Sequence, residues 1–277
     1  MIFVNKLKFY SKLFIVLFAS STIIYSSPLR IMPLGDSITY DNRVSDVDSP
    51  RPVGKRTAYR SHLYYSLVDK GMSIDFVGSQ NAGYSVTPPF DSNNEGHPAW
   101  DSYDIAHDVY DFLITNPADI ILLHIGTNDS GTDIHGVEVI LDQIDAFEKE
   151  YNLPIRVVLA LIIDNKKPNK IVSLFNSNLN IMALDRIRKG DNIIIVDMYT
   201  NAGLTSSDYD DYKHPNDNGY KKMANMWVNP IITNRNDSIY LYPITLVDRS
   251  DIIDINIDEL NDSVTFTTEV PDNGIIF

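Results

Sequence analysis

The segment DIILLHIGTNDS, residues 119–130, decides the fold class of this 277-residue chain. It starts as a nearly continuous run of Ile and Leu and ends in a polar Gly-Thr-Asn-Asp sequence. A short apolar run of this kind is typical of a parallel strand that helices cover on both faces. Open α/β sheets keep their functional groups at the carboxyl ends of their strands. The polar end of the segment therefore marks a candidate site.

Similar apolar runs recur along the chain and alternate with helical patterns. Two of the helical patterns end at Gly71 and Gly190, each with a lysine in the last turn, which is a normal helix stop. The alternation predicts a single doubly wound, flavodoxin-like α/β domain over residues 28–230. Its five-stranded parallel sheet would have the order 2-1-3-4-5. The predicted strands are 29–34, 73–79, 119–126, 155–163 and 192–199.

Residues 1–27 are interpreted as a secretory signal peptide. Lys6, Lys8 and Lys12 precede the apolar run LFIVLFASSTII, residues 13–24, and small residues follow it. The run is shorter than the roughly 20 residues that span a bilayer. We therefore expect cleavage and a secreted, extracellular protein without a membrane partner, with an uncleaved anchor as the alternative.

Residues 231–277 differ in texture from the rest of the chain. Short apolar runs are broken there by Asp and Asn, which predicts a β-rich C-terminal extension. The extension is too small to bury much core alone. It either packs on the main domain or forms part of a larger β module. Its acidic residues fit no calcium loop and favour a solvated face.

Composition excludes several classes of function. The formal charge of −14 at pH 7 disfavours a nucleic-acid partner. The chain has no cysteine, which excludes disulfides, a thiol nucleophile and a thiolate metal site. Neither His-x-x-x-His nor His-Glu-x-x-His occurs, so the sequence disfavours metal-dependent deacetylation, and we expect no metal and no cofactor.

Ser37 follows the first predicted strand, in the sequence Gly35-Asp36-Ser37-Ile38. Gly, Asp and Ser are ordinary turn formers, so a simple turn is one interpretation. The other is a nucleophile held at the carboxyl end of a strand, which needs a base, an orienting group and oxyanion donors. The Gly-x-Ser-x-Gly elbow of α/β-hydrolases is absent, so such a serine would be presented differently.

Two of the six histidines have an aspartate three residues earlier, Asp104 before His107 and Asp211 before His214. The first pair lies on a predicted amphipathic helix, where an i, i+3 surface pair is ordinary. The second lies in a polar loop beyond the last strand. That loop can aim the imidazole at Ser37 while Asp211 fixes the ring tautomer. His214 and Asp211 are therefore the preferred base and orienting carboxylate.

Two loops that flank the Ser37 loop contain candidate oxyanion donors. Asn128 follows the third predicted strand, and its amide can donate to an oxyanion, although a helix cap is the alternative role. Gly96 lies in the long loop after the second strand. The lack of a side chain there lets the backbone N–H approach a substrate closely.

In chain order, the segments around these residues resemble the four signature blocks of the SGNH (GDSL-type) hydrolases. The resemblance runs from about residue 30 to residue 228. Within that superfamily the chain is similar to the family-three carbohydrate esterases, which include acetyl xylan esterases, through GDSIT, NEGHPAW and ILLHIGTND. That family often has His-Glu-Gly-His-Ser-Gly-Trp where this chain has Asn94-Glu95-Gly96-His97-Pro98-Ala99-Trp100.

The resemblance implies a secreted serine esterase that hydrolyses small acyl esters, acetyl above all, on a polysaccharide or oligosaccharide such as xylan. Ser37 would be the nucleophile, His214 the base and Asp211 its partner. The Ser37 N–H, the Gly96 N–H and the Asn128 amide would hold the oxyanion.

Two other functions fit the same fold. They are a lipolytic GDSL esterase of the lysophospholipase type and an inactive carbohydrate-binding protein. The insert after Ser37 is polar and charged, whereas lipid substrates favour an apolar lid. This composition favours the carbohydrate substrate over the lipid.

Overall fold

The computed structural model describes residues 27–233, together with the backbone of residues 252–258 and 263–268. The chain divides into two compact units, the first ending at Ile232 and the second beginning at Thr233. Apart from Ser27, the expected signal peptide lies outside the described residues, so cleavage and secretion stay predictions.

The central sheet is mostly parallel and lies in the first unit. Its strand order is β3-β4-β1-β5-β6-β7, and β2 also pairs with β1. All pairings are parallel except that between β3 and β4. The strands are β1 (Leu29–Gly35), β2 (Ile74–Phe76), β3 (Gln80–Asn81), β4 (Asn93–Gly96), β5 (Ile120–His124), β6 (Arg156–Leu161) and β7 (Ile193–Asp197).

Within residues 27–233 the sheet has seven strands, whereas the sequence predicts five. The segment after β2 folds back so that β4 pairs with residues 34–35 of β1, beyond the point where β2 pairs with residues 29–31. The predicted central order is therefore extended along one edge by two short strands. Residues 93–96 of β4 read Asn-Asn-Glu-Gly, and such a short polar run carries no apolar signal of a strand.

Helices cover both faces of the sheet, as a doubly wound α/β fold requires. Side chains of α3, α4 and α5 form one core with Met32 and Leu34, and side chains of α2 and α7 form the other with Ile31. The helices are α1 (Ser37–Tyr40), α2 (Ala58–Val68), α3 (Ser102–Thr115), α4 (His135–Tyr151), α5 (Lys170–Lys189), α6 (Met198–Asn201) and α7 (Asp217–Ile232). None of the helices in residues 27–233 is long and apolar enough to cross a membrane.

In the second unit the structure describes two antiparallel strands, β8 (Ile252–Asp258) and β9 (Ser263–Thr268). The rest of the predicted extension lies outside the described residues. Helix α7 runs through Pro230 to Ile232, two residues into the range that the sequence assigns to the extension.

Candidate active site

Ser37 lies where β1 ends and α1 begins, at the carboxyl edge of the sheet. Asp36 caps α1 by accepting a hydrogen bond from the Ile38 N–H at 2.8 Å. Gly35 lets β1 lie close to β5, because a Cβ there would be 2.2 Å from the His124 carbonyl oxygen. This tight strand-to-helix turn presents the serine without a Gly-x-Ser-x-Gly elbow. Ser37 is 4% exposed.

The structure brings Ser37, His214 and Asp211 together, although 177 residues separate the serine from the histidine. Ser37 Oγ is 2.8 Å from His214 Nε2. His214 Nδ1 is 2.9 Å from each oxygen of the Asp211 carboxylate. A carboxylate can only accept, so Nδ1 carries the hydrogen and Nε2 is left to accept from the serine hydroxyl.

The environment favours the protonation states that a serine nucleophile requires. Burial lowers the pKa of His214 below its ordinary value, although the hydrogen bond to Asp211 acts in the opposite direction. Burial by itself would raise the pKa of Asp211. Hydrogen bonds from the backbone N–H groups of Lys213, Val44 and His214 outweigh it and hold that pKa below its usual value. At neutral pH the pair is therefore a neutral imidazole beside a carboxylate.

The insert between α1 and α2 supports Asp211 from one side. The Val44 N–H donates to Asp211 Oδ2 at 3.0 Å. The arginines of the insert pair with aspartates: Arg43 contacts Asp210 at 2.5 Å, and Arg51 contacts Asp46 at 2.8 Å. These cations, which the sequence shows only as part of a polar and charged insert, thus hold the insert in place.

Asn128 bridges two loops and does not cap a helix. Its Nδ2 donates to the Trp100 carbonyl at 2.8 Å, and its Oδ1 accepts from Lys213 Nζ at 2.6 Å. The next helix, α4, has Ile134 at its N-cap position. The neighbouring Asp129 ties the first residue of α3 by accepting from the Ser102 N–H at 2.8 Å and its hydroxyl at 2.5 Å.

Gly96 lies beside α1, but its N–H is already engaged. This N–H donates to Asn94 Oδ1 at 3.0 Å. A Cβ on Gly96 would be 2.7 Å from the backbone nitrogen of Tyr40, so the close approach of β4 to α1 requires glycine. The predicted role of Gly96 as an oxyanion donor stays a prediction, and it requires the bond to Asn94 to open.

Residues 97–100 form a turn next to Gly96. The Trp100 N–H donates to the His97 carbonyl at 3.2 Å, and Ala99 has φ +70°. This combination of Pro98 at the second position and a positive φ at the third is that of a type II turn. The Ala99 N–H makes no hydrogen bond with any residue that the structure describes.

The other Asp-x-x-His pair is not assembled. The side chain of His107 is 84% exposed on α3, and its Nδ1 lies 2.6 Å from Asp108. Asp104 instead accepts from the Asp101 N–H at the start of the same helix. These contacts agree with the choice of His214 over His107.

Two features of the site were missed by the sequence reasoning. One is Lys213, whose only signal is a charge inside the Asp-x-x-His pattern. The other is the buried Glu95, which accepts from the Ser79 N–H and hydroxyl and bonds His97 Nε2, all at 2.6 Å. The His97 ring stacks on Trp100 at 4.0 Å between ring centroids. Glu95 therefore fixes the turn at 97–100 through its contact with His97.

Over the described ranges, no three His, Asp or Glu side chains are grouped so that they could hold a metal ion. The chemistry that the geometry offers is nucleophilic attack by a serine hydroxyl with a histidine as base.

Comparison with known proteins finds relatives that are esterases. A multidomain esterase from Ruminococcus flavefaciens is 28% identical in an alignment 232 positions long, which covers 73% of this chain and 28% of that protein. The chain thus spans little more than a quarter of that curated relative.

Solved structures give the same result. A carbohydrate esterase family 3 protein from Talaromyces cellulolyticus is 25% identical, with a TM-score of 0.62 over 74% of this chain and 96% of that one. A family 3 carbohydrate esterase from Clostridium thermocellum is 28% identical, with a TM-score of 0.60 over 73% and 94%. Residues 31–227 match the GDSL-like lipase/acylhydrolase family. The resemblance seen in the sequence is confirmed: the chain belongs to this family of carboxylic ester hydrolases.

Proposed function

We propose that this protein is a secreted serine esterase that removes acetyl or similarly small acyl groups from a carbohydrate such as xylan. The observation that carries the chemistry is the 2.8 Å contact between Ser37 Oγ and His214 Nε2, with Asp211 on the other ring nitrogen. The family 3 carbohydrate esterases with a similar fold support the carbohydrate substrate. The basic and apolar pattern of residues 1–27 supports secretion.

The reaction is acyl transfer to water. His214 Nε2 takes the proton of the Ser37 hydroxyl as Oγ attacks the ester carbonyl, and Asp211 stabilises the imidazolium. The C–O bond to the sugar breaks as His214 gives the proton to the departing sugar oxygen, which leaves as a hydroxyl. Water then attacks the acyl-serine while His214 takes its proton, and that proton passes to Ser37 Oγ as the bond between the acyl group and Oγ breaks and the acid leaves.

Three donors would hold the oxyanion. The Ser37 N–H is the first amide of α1, and such amides have no acceptor within their own helix. The second donor is the remaining N–H of the Asn128 amide. The third would be the Gly96 N–H, after it leaves Asn94 Oδ1.

A lipolytic GDSL esterase is the second candidate function. Val44, whose N–H bonds Asp211, is exposed, and the nearby Val47 is 78% exposed. Exposed apolar side chains beside the catalytic carboxylate suit contact with a lipid.

Chain-length dependence separates the two functions. A panel of 4-nitrophenyl esters from acetate to decanoate, with acetylated xylan beside it, would be assayed on wild type and Ser37→Ala. We expect kcat/KM to be highest for acetate, acetate release from xylan, and no turnover by the variant. An apolar lipid site would gain up to about 0.8 kcal/mol per methylene. A steady rise of kcat/KM towards octanoate would therefore assign the lipolytic function.

A fluorophosphonate probe tests the third interpretation, an inactive binding protein. The probe reacts with an activated serine, so we expect a single adduct that maps to Ser37 and is absent from Ser37→Ala. A folded wild-type protein that does not react would support the binding protein.

A further inference from the structure

We propose that Lys213 is a positioning residue that orients and polarises the Asn128 amide for the oxyanion. The inference rests on the proposed function, and it adds a residue to the site. Lys213 Nζ donates to Asn128 Oδ1 at 2.6 Å, across 85 residues of sequence. The ammonium also lies 5.5 Å from the centre of the Tyr212 ring, which gives it a second favourable contact.

Lys213 allows only one orientation of the Asn128 amide. A lysine ammonium can only donate and the Trp100 carbonyl can only accept, so Oδ1 must face Lys213 and Nδ2 must face Trp100. One N–H of Nδ2 is used by Trp100. The direction of the other N–H is thereby fixed, because the amide is planar.

The same contact strengthens the remaining donor. A cation on the amide oxygen draws electron density from the amide nitrogen, so a bond made by the other N–H becomes stronger through cooperative polarisation. Charge-assisted hydrogen bonds are shorter than neutral ones, in keeping with the 2.6 Å distance. The benefit is greatest when negative charge develops on the substrate oxygen.

Lys213 is placed by the residues that place the base. Its backbone N–H donates to Asp211 Oδ1 at 3.0 Å, and the same oxygen accepts from the N–H of His214. Loop residues 211–214 thus deliver both the imidazole and the ammonium. Because Lys213 is a cation, it also lowers the pKa of His214, whereas Asp211 and Asp41 raise it.

The experiment compares four single variants on 4-nitrophenyl acetate: Lys213→Met, Lys213→Arg, Asn128→Ala and Lys167→Met. Lys167 is an exposed lysine of the loop between β6 and α5 and controls for the change in net charge. Loss of the charged donor should lower kcat about 10- to 100-fold with KM nearly constant. Lys213→Arg keeps a cationic donor and should stay within a few-fold of wild type, and Lys167→Met should be unchanged.

Two further readouts separate positioning from a general structural role. If Lys213 acts through Asn128, then Lys213→Met in an Asn128→Ala background should change kcat less than about twofold. The acid limb of kcat/KM should move to higher pH in Lys213→Met, because removing the cation raises the pKa of His214. Lys213→Arg and Lys167→Met should leave that limb in place.

Each failure has its own signature. Wild-type kcat in Lys213→Met, or fully additive losses in the double variant, would overturn the inference and leave the proposed function standing. Ser37→Ala turning over like wild type would overturn both. If thermal melting shows that Lys213→Met does not fold, Lys213→Gln replaces it. We expect reduced kcat there too, since the charge is gone, and wild-type kcat would overturn the role.

Discussion

Two adjacent residues in the loop after β5, Asn128 and Asp129, make different contacts. Asn128 bonds the Trp100 carbonyl and Lys213, and Asp129 bonds the first residue of α3. If Asn128 is an oxyanion donor, Asn128→Ala should lower kcat by about 10²–10³-fold. The melting temperature should also fall, because the bonds to Trp100 and Lys213 are lost, but the folded variant should remain slow. Steady-state kinetics and thermal melting on the purified variant measure both quantities.

Asp129→Ala is the matched control for that substitution. It removes both bonds to Ser102 and should cost about 1–3 kcal/mol of stability, because a helix-start N–H and a hydroxyl lose their acceptor. Activity of the folded fraction should fall far less than in Asn128→Ala. The reverse pattern, with Asn128→Ala unstable but active, would mean that Asn128 only ties the loops.

The assignment of the base gives a second prediction at this scale. His214→Ala should lose nearly as much turnover as Ser37→Ala, and the double variant little more, because serine, histidine and aspartate act as a unit. His107→Ala should stay within about threefold of wild type, roughly 0.65 kcal/mol of barrier. Assays on 4-nitrophenyl acetate check all four proteins. If His214→Ala kept wild-type turnover and His107→Ala lost it, His107 would be the base instead.

The pH profile follows from the burial of His214. The base must be neutral, and burial lowers its pKa below the ordinary 6.5. Activity should therefore persist as pH falls through 6.5 and be lost only at lower pH, with the midpoint of the acid limb of kcat/KM below that value. Burial also raises the pKa of Asp36 to about 6, so Asp36→Asn is the control. If the acid limb of kcat/KM stays at the same pH in Asp36→Asn, it reports the titration of His214.

Among elements, β4 lies close against α1, and the turn at 97–100 follows it directly. Gly96→Ala would drive a methyl group into the Tyr40 backbone, which cannot move without shifting the helix that carries Ser37. Overpacking of this kind costs about 1–3 kcal/mol. We expect a lower midpoint of urea unfolding and a lower kcat together.

The reverse substitution three residues later, Ala99→Gly, should not lower the stability. Ala99 has φ +70°, where a Cβ costs about 1–2 kcal/mol and glycine costs none. Relief of this strain in Ala99→Gly is partly offset, by about 0.5–1 kcal/mol, because glycine loses more chain entropy on folding. The variant should be as stable as wild type or slightly more so, with its catalytic rate kept. A strongly destabilised Ala99→Gly would show that the alanine methyl group packs against a neighbour.

The same elements show what a sequence can predict here. Strands β5, β6 and β7 are Ile, Val and Leu runs, and burial on both faces demands such runs, so their pattern is legible. Strand β4 exists because its backbone pairs with β1, and backbone pairing leaves no mark on side-chain composition. Its two-residue partner β3 is hidden for the same reason.

The contacts of the site likewise differ in whether they can be predicted from the sequence. Asp211 and His214 are three residues apart, so their partnership is local and visible in the sequence. The contact of Lys213 with Asn128 spans 85 residues and depends on where two loops end in space. Glu95 reads as a polar loop residue, and only the folded chain shows that it is buried beneath His97.

At the scale of the whole molecule, both apolar cores and every residue of the site precede Thr233. A chain that ends at residue 233 should therefore fold and keep the kcat of the full chain on 4-nitrophenyl acetate. Melting and steady-state kinetics on the two lengths test this expectation. A large drop in kcat would mean that the second unit contributes to the site. A loss confined to acetylated xylan would instead assign the extension a role with polymeric substrate.

The loop at 211–214 holds two parts of the site at once. His214 of this loop hydrogen-bonds Ser37, and Lys213 hydrogen-bonds Asn128. The carboxylate of Asp211, in the same loop, accepts a hydrogen bond from the Val44 N–H. If this loop moves away, the hydrogen bonds to Ser37 Oγ and to Asn128 Oδ1 are lost together. We therefore expect the His214 imidazole and the Asn128 amide to be engaged or released as one unit.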